Sequence, residues 1–508
     1  YFLSGRIRRR RRCFVHNPSA FSSNHFNRHP GEGRYHMHTS FLTEVRESES
    51  VPLGSCRQGA RHGFFGRRVW RPSTGKRGAW LLDALVETPC GCIRKLGGSR
   101  AREVQLHRLL RNKKVTVAEL SRQAGLRTGQ LAQGLDVIVI QDTSEISMGV
   151  PHAGRAGFGP IGRGGATRGV LAHAGLCVDT SGAVLGLVDA QVWTRTGGKR
   201  VADSRKRPLA EKESQRWLLT CMHAVERLSG ARSITMVSDA ESDVYELFAG
   251  KPQGVELVVR SARARRLANG DVLAQRLDQM GVCGTIMRTI PAIPGRRERR
   301  ATLELRHAKV TLKRPDQLGK TVTPEIDVHA VDVREINPPQ GVSPVHWLII
   351  TTHAVDDAEK AVRIIDIYRG RFLIEQLFRT LKTAGFNIES MELATPHAFV
   401  NFTGFALIAS AIIMQLVKAR DGQSGQRLLH AFEVDDKPVL IALSRKLEGK
   451  TEKQKNPHPP DDLAFASWVM ARLGGWNCYY GMPGPETMRN GLERYHAIKL
   501  GTQVAKDV

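Results

Sequence analysis

The stretch DDAEKAVRIIDIYRGRFLIEQLFRTLKTAGF, residues 356–386, is the one around which the rest of the chain can be interpreted. We predict that it forms one long helix, because its apolar residues recur at helical spacing. Asp356 is placed to cap the N-terminus, and Glu359 three residues later would complete a capping box. Gly385 is placed to end the helix, since glycine commonly follows a helix C-terminus.

Polar residues of this predicted helix share one face. At about 100° per residue, they fall within roughly 80° of one another. They are Tyr368, Arg371, Glu375, Arg379 and Lys382. A solvated surface is the commoner meaning of such a charge pattern. A single acid among three bases, on a helix with an apolar back, better suits a metal-binding carboxylate flanked by phosphate contacts.

The same positions carry a resemblance to a known family. Tyr368, Arg371, Glu375 and Lys382 form the spacing Y-(2)-R-(3)-E-(6)-K, which is similar to the signature of the IS-four family of bacterial insertion-sequence transposases. The resemblance extends over residues 90–495. It implies a DDE-class enzyme that binds the ends of its insertion sequence, cleaves the DNA through a hairpin and joins the 3′ ends to target DNA. It also implies a homodimer that pairs two element ends.

Composition favours nucleic acid as the partner. The chain of 508 residues carries a net charge of +27, from 76 Lys and Arg against 49 Asp and Glu. Double-stranded DNA is the favoured polyanion, and an anionic membrane is the second candidate. A hydrophobic content of 41% is that of a globular protein and excludes a disordered chain. The length suffices for about two to four domains.

Cysteine spacing and hydropathy predict a cytoplasmic protein rather than a membrane protein, and the resemblance implies a bacterial, nucleoid-associated one. The eight cysteines show no CxxC pair and no zinc spacing, so we expect reduced thiols. The longest apolar run, Phe402–Val417, is marginal for a bilayer span and contains polar residues, so we predict a buried helix. No signal peptide is evident, because Arg8–Arg12 lead into polar sequence.

The N-terminal part divides into two predicted segments. Residues 1–72 are basic and lack periodicity, which suits either a DNA-contacting arm or sequence that does not belong to the native protein. Residues 73–133 are predicted to be a helical DNA-binding domain. Within it, Thr116 and Glu119 form a capping box, and Gly125 is placed in the turn of a helix-turn-helix.

Residues 134–395 are predicted to form the catalytic domain. Three strands, a helix, a strand, a helix and a strand follow one another, which is the order of a ribonuclease-H-like α/β fold. Alternating segments within 261–345 predict an inserted antiparallel sheet. Residues 396–508 are predicted to be a helical C-terminal region that contributes dimer or DNA contacts.

Three carboxylates are the candidate catalytic residues. Asp142 and Asp239 each end a predicted buried strand, and Glu375 lies on the long helix. Strand-end aspartates are often only turn residues, but their joint order with Glu375 favours a cluster of oxygen ligands. Such a cluster suits Mg²⁺ or Mn²⁺, and two ions per active site would activate a nucleophile and stabilise the leaving oxygen.

The resemblance assigns roles to further residues. QDTSEI and VSDAESDVYE match the family's segments around its two catalytic aspartates, which makes Glu241 and Asp243 candidate supports. The residues expected to contact DNA are Tyr368, Arg371, Arg379, Lys382, Arg260, Trp347 and Phe372. Trp347 would stack on a flipped base. Phe372 stands where the family usually has tryptophan, so its stacking surface is smaller.

Two other functions remain open at this point. A regulatory or catalytically decayed DNA-binding protein would keep the basic surface without the chemistry. A metal-dependent nuclease of the same fold would cleave DNA without joining it.

Overall fold

A continuous sheet of ten strands crosses the protein. The computed structural model describes residues 72–148, 157–162, 165–195, 207–290, 298–393, 395–479 and 481–505. The predicted basic segment therefore lies outside the described residues, apart from its last position. Within those ranges the strands are β1 Asp136–Ser147, β2 Gly159–Ile161, β3 Thr167–Asp179, β4 Val184–Trp193, β5 Ser233–Ser238, β6 Val255–Arg260, β7 Gly284–Ile290, β8 Arg299–Lys313, β9 Glu325–Ile336 and β10 His346–Thr351.

Helices cover both faces of this sheet and both ends of the described chain. They are α1 Pro72–Glu87, α2 Ile93–Gly97, α3 Arg100–Arg111, α4 Val117–Leu131, α5 Gln215–Arg227, α6 Tyr245–Gly250, α7 Leu273–Asp278, α8 Ala358–Arg369, α9 Phe372–Arg379, α10 Pro396–Ala419, α11 Asp436–Leu447, α12 Leu463–Leu473 and α13 Pro485–Val504. Residues 72–133 and the region after 396 are helical, as predicted.

The strands lie in the order β2-β3-β1-β5-β6-β10-β9-β8-β7, and β4 also pairs with β3. β1, β5 and β6 are parallel neighbours, whereas the other pairings are antiparallel. β3 and β4 form an antiparallel hairpin, and Gly182 adopts its turn with φ +84°. The chain is therefore a mixed α/β protein with one large mixed sheet.

Residues 261–345 extend the main sheet instead of forming a sheet of their own. They contain β7, β8 and β9, which pair as antiparallel neighbours. β10 then joins them to the rest, because it pairs with β9 on one side and with β6 on the other.

Alternating side chains of the central strands bury two separate apolar layers. On one face, Val237 and Val258 pack with Ile364 and Ile365 of α8. On the other face, Val139 and residues of β5 and β6 pack with α5 and α6. Helix α9 contacts β1. The side on which α8 and α9 lie is therefore distinct from the side covered by α5, and we call these the front and the back of the sheet.

Helix α10 is the central helix of the largest apolar cluster. By length and composition it is the one helix among the described residues that could span a membrane, with a mean hydropathy of 1.9. Nearly all of that window is buried by contacts with α1, α3, α4, α12 and α13, so the predicted buried helix is confirmed. This burial is compatible with a soluble protein. The six cysteines in the described ranges are free, as expected.

The helix-turn-helix prediction for residues 116–133 is wrong. Thr116 does cap α4, accepting a hydrogen bond from the Glu119 amide at 3.3 Å, but the helix continues through Gly125. Gly125 is needed for close packing, since a Cβ there would lie 2.3 Å from Cδ of Arg227. Helix α4 packs on β4 and α5 with most of one face buried, so it is not presented as a recognition helix.

The predicted single helix over 356–386 is also corrected. It consists of α8, α9 and a π-helical turn over Thr380–Ala384. The N-cap is Asp357 and not Asp356, because the Asp357 carboxylate accepts from the Lys360 amide at 2.7 Å. Gly385 has φ −134°, so it does not end the helix in the left-handed conformation.

Candidate active site

The sheet register places Asp142 and Asp239 side by side. β1 and β5 pair in parallel up to Ile140 and Val237, and each aspartate lies two residues further on. Both therefore occupy the same level, and both point to the front of the sheet. Asp142 is not at the end of its strand as predicted, because β1 continues to Ser147 through its pairing with β3.

Asp142 is held in an environment that disfavours its charge. Its side chain is 16% exposed, and one oxygen accepts a hydrogen bond from the Thr143 amide at 2.7 Å. Burial and then the charge of Asp239 raise the pKa of Asp142 to about 7, while Arg371 opposes this shift. Asp239 caps the turn that follows β5, accepting from the Glu241 amide at 2.9 Å. The two carboxylates thus form an electrostatically coupled pair.

The junction of α8 and α9 brings Arg371 into this pair. The amide of Arg371 bonds to Tyr368 and that of Ile374 bonds to Arg371, so the backbone tightens here to three residues per turn. The guanidinium then lies 3.5 Å from a carboxylate oxygen of Asp142 and 2.7 Å from one of Glu375. Arg371 therefore links the predicted first and third catalytic carboxylates with a positive charge.

Three further predicted DNA contacts lie around this centre. Tyr368 is only 2% exposed, and burial raises the pKa of its phenol. Its ring packs edge-on against partly buried Trp347, with centroids 6.0 Å apart. Arg260 is exposed and lies level with Asp239, because β6 continues one residue beyond the pair Ser238 and Val259. Of these three residues, Arg260 alone is a cation, and it is exposed.

The remaining predicted contacts do not form one face. Phe372 is 45% exposed, with the Arg371 guanidinium 5.0 Å above its ring, and Arg379 is exposed on α9. Lys382 lies further along, where it pairs with Glu389 at 3.9 Å and burial lowers its pKa. The tight turn before α9 and the π turn after it change the rotation per residue, which is why a uniform 100° spacing misplaced Tyr368 and Lys382 relative to Glu375.

Asp243 and Glu241 have different surroundings. Asp243 is fully buried and accepts hydrogen bonds from Ser261, Ala262 and Arg263 at 3.0–3.2 Å, in addition to an ion pair with Arg265. It therefore anchors the loop that directly follows Arg260. Glu241 is exposed and pairs with Arg216 at 2.9 Å.

Sequence reasoning missed Arg216. This residue lies in the first turn of α5 on the back of the sheet, yet its guanidinium donates to Thr143 at 2.7 Å as well as to Glu241. Both partners are within two positions of a candidate catalytic aspartate. An arginine before a buried tryptophan in KESQRW was the available signal, and nothing in its spacing distinguishes it from an ordinary helix-surface cation.

The carboxylates of Asp142, Asp239 and Glu375 suit a hard divalent cation, although the three do not form a single ligand cluster. Among the residues that the structure describes, no group of three or more His, Cys, Asp or Glu side chains is close enough to hold a metal ion. Asp142 and Asp239 are adjacent oxygen donors whose mutual repulsion a cation would relieve. Glu375, 53% exposed, is turned toward Arg371. The two aspartates fit the predicted Mg²⁺ or Mn²⁺ as ligands, and Glu375 would join them by exchanging its arginine partner.

No model of a known protein family matches the sequence.

Proposed function

We propose that this protein is a DDE-type DNA transposase, which cleaves the ends of its insertion sequence and joins them to target DNA. One observation carries the proposal: Asp142 and Asp239 lie level on adjacent parallel strands, on the sheet face where α9 presents Glu375. Two acids from neighbouring strand segments and one helical acid on the same side of the sheet agree with the arrangement that the resemblance implies. The coupling of Asp142 to Asp239 supports their common role.

The strand order supports the same fold. β4-β3-β1-β5-β6 runs across the sheet, with β3 antiparallel to β1 and with β1, β5 and β6 parallel. Helix α5 precedes β5, and α6 precedes β6. This order and these directions support the proposal of a ribonuclease-H-like core. In this proposal β7–β9 are an elaboration between the last core strand and the helices that carry Tyr368 and Glu375.

The proposed chemistry assigns distinct tasks to the side chains. Bound divalent cations would supply Lewis acidity at the scissile phosphate and lower the pKa of the attacking hydroxyl. Asp142 and Asp239 hold the cation site from the sheet, and Glu375 completes it from the helix. Arg371, which pairs with Asp142 and Glu375, partly neutralises their charge and would donate to a phosphate oxygen of bound DNA.

DNA binding in this proposal rests on charge. The net charge of +27 supplies a long-range attraction for the duplex, and exposed Arg260 and Arg379 lie beside the carboxylates. The proposed partners are double-stranded DNA and a second copy of the chain, in the bacterial cytoplasm. The affinity for DNA should fall steeply with salt, since each neutralised phosphate contributes about −0.9 to the slope of log K against log salt concentration. A flat salt dependence would contradict the phosphate contacts.

Cleavage of DNA carrying the terminal repeats that flank the gene tests the proposal. We expect the full-length protein to cleave this DNA with Mg²⁺ or Mn²⁺, and the Glu375→Gln variant to lose roughly 10³-fold or more of that activity while still binding the DNA. Glu359→Gln, which changes an exposed acid in the first turn of α8, is the matched control and should cleave normally.

Each alternative function predicts a different result. DNA binding without cleavage, by the unaltered protein as well as by Glu375→Gln, would contradict the proposal and indicate a regulatory or decayed protein. Cleavage without joining of the 3′ ends to a target duplex would indicate a nuclease.

A further inference from the structure

Arg216 bonds to both catalytic segments from the back of the sheet. Helix α5 packs on the face opposite to Asp142, and Thr143, the next residue along β1, points toward that helix. The Arg216 Nε atom donates to the Thr143 hydroxyl at 2.7 Å, and Nη2 donates to Glu241 at 2.9 Å. The Arg216 side chain is therefore bonded to the residue that follows Asp142 and to the residue two positions after Asp239.

The guanidinium is fixed on its other sides. Nη1 donates to the carbonyl oxygen of Glu213 at 2.8 Å, and the group lies 4.7 Å above the ring of buried Trp217. Its side chain is 11% exposed. Thr143, which accepts from Arg216, lies with its hydroxyl 2.9 Å from Nδ1 of buried His173. These contacts leave the guanidinium little freedom to rotate, so it can act as a rigid connection.

Backbone hydrogen bonds do not connect the two aspartate-bearing segments. The ladder between β1 and β5 ends at Ile140 and Val237, which is two residues before the aspartates. Beyond that point two like-charged carboxylates lie side by side, and their repulsion would drive the strands apart. A side-chain connection is therefore needed where the pairing of β1 with β5 stops. Arg216 supplies one, because it bonds to Thr143 after Asp142 and to Glu241 after Asp239.

We propose that Arg216 is a positioning residue that sets the separation of Asp142 and Asp239 and thereby the affinity of the pair for divalent cations. The inference rests on the proposed function, because it concerns the same carboxylates. Arginine suits the task better than lysine, since its planar fork donates in several fixed directions at once. Residues that orient ligands in this way typically affect metal affinity by about 10–100-fold when replaced.

Mn²⁺ binding to the full-length protein, measured by calorimetry without DNA, tests the proposal. We expect Arg216→Gln to weaken binding by about tenfold or more and Arg216→Lys to recover part of the loss. Glu241→Gln removes only the exposed end of the connection, so it should fold normally and weaken binding severalfold. Arg232→Gln is the matched control: it breaks an ion pair with Asp136 that joins β1 to the start of β5 at the opposite end of the strands. Its Mn²⁺ affinity should equal that of the unaltered protein.

The outcomes separate this inference from the function on which it rests. If the unaltered protein binds Mn²⁺ and Asp142→Asn does not, the cation site exists. Equal affinity in Arg216→Gln, or in a folded Glu241→Gln if the first variant does not fold, would then overturn the positioning role alone. If the unaltered protein and Asp142→Asn fail equally to bind Mn²⁺, the proposed cation site is wrong and the inference falls with it. A loss in Arg232→Gln as large as in Arg216→Gln would show a general effect of strand pairing and would also overturn it.

Discussion

Two aspartates of the same sheet, the partly buried Asp142 on β1 and the fully buried Asp189 on β4, have opposite surroundings. Asp189 is 1% exposed and accepts hydrogen bonds from Ser121, Thr220 and Gln191, each at 2.8 Å. It also lies 3.0 Å from both His223 and Arg227. Asp142 has a single backbone donor, a cation at 3.5 Å and a second carboxylate beside it.

The two pKa shifts follow from these partners. Burial by itself would raise the pKa of Asp189, but the hydrogen bond and charge of His223, with the contributions of Gln191 and Arg227, hold it below its ordinary value. For Asp142, burial and Asp239 raise the pKa to about 7. Asp189 is therefore a structural carboxylate that joins α4, β4 and α5. Asp142 is left short of partners, which is the condition expected of a residue that awaits a ligand.

The largest expected contrast is in stability. Asp189→Asn should lower the free energy of unfolding by about 3–5 kcal/mol, because it leaves Arg227 buried without its counter-charge. Asp142→Asn should raise or preserve stability near pH 8, since it removes a carboxylate that repels Asp239. Chemical denaturation of the full-length variants measures both. A loss of equal size in the two variants would end the distinction between them.

Stabilisation by divalent cations should depend on Asp142 and not on the surroundings of Asp189. A cation at 100 times its dissociation constant would stabilise the unaltered protein by about 2.7 kcal/mol through its preference for the folded state. Thermal unfolding with and without Mn²⁺ should show this shift. Asp142→Asn should abolish it, whereas Thr220→Val, which alters only the surroundings of Asp189, should retain it.

The pH dependence of stability should have opposite signs at the two residues. The folded-state pKa of Asp142 is raised, so the folded protein holds more protons than the unfolded chain between about pH 4 and 7, and stability falls as pH rises through that window. The slope is at most about 1.4 kcal/mol per pH unit for one proton. The folded-state pKa of Asp189 is lowered, so its contribution is present above about pH 4 and is lost on further acidification.

Denaturation without metal ions, measured from pH 3 to 8, separates these contributions. Asp142→Asn should remove the decline in stability between about pH 4 and 7. It should leave unchanged the loss of stability below about pH 4, which is assigned to Asp189. Persistence of that decline in the variant would assign it to another group.

The last prediction concerns a single hydrogen-bond donor to Asp189, the hydroxyl of Thr220. Thr220→Val is nearly isosteric and removes one hydrogen bond to the carboxylate, at a fully buried position. It should lower the free energy of unfolding by about 1.5–3 kcal/mol, the range for hydrogen bonds to charged groups. This loss should be smaller than the one expected for Asp189→Asn. Chemical denaturation at pH 7 measures it, and a cost equal to that of Asp189→Asn would mean that the network fails as a unit.

Local pattern was enough to locate the candidate carboxylates but not to recognise their surroundings. Strand periodicity identified β1, β5 and β6, and the register of β1 and β5 places Asp142 and Asp239 at the same level. Asp189 was not singled out, because the residues that satisfy it come from α4 and α5 and are up to 68 positions away. Arg216 was missed for the same reason, since its partners Thr143 and Glu241 lie on β1 and in the turn after β5.

The two elements that were predicted wrongly, α4 and residues 356–386, also depend on packing that their local sequence patterns do not reveal. Gly125 has the usual features of a helix stop, yet α4 continues through it, and the glycine is needed because the packed Arg227 side chain leaves no room for a Cβ. Residues 356–386 have an unbroken helical pattern, yet the tight turn at Gly370 and Arg371 directs Tyr368 into the protein and Glu375 outward.

The sequence by itself determined the order of strands and helices, the buried α10 and the positions of Asp142, Asp239 and Glu375 along the chain, because these depend on side-chain periodicity and local capping. Only the tertiary structure decided that β7–β9 extend the main sheet, that Asp142 and Asp239 lie level, and that Arg371 and Arg216 connect the carboxylate-bearing segments. Those features arise from strand register and from contacts between residues far apart in the chain, which local patterns do not encode.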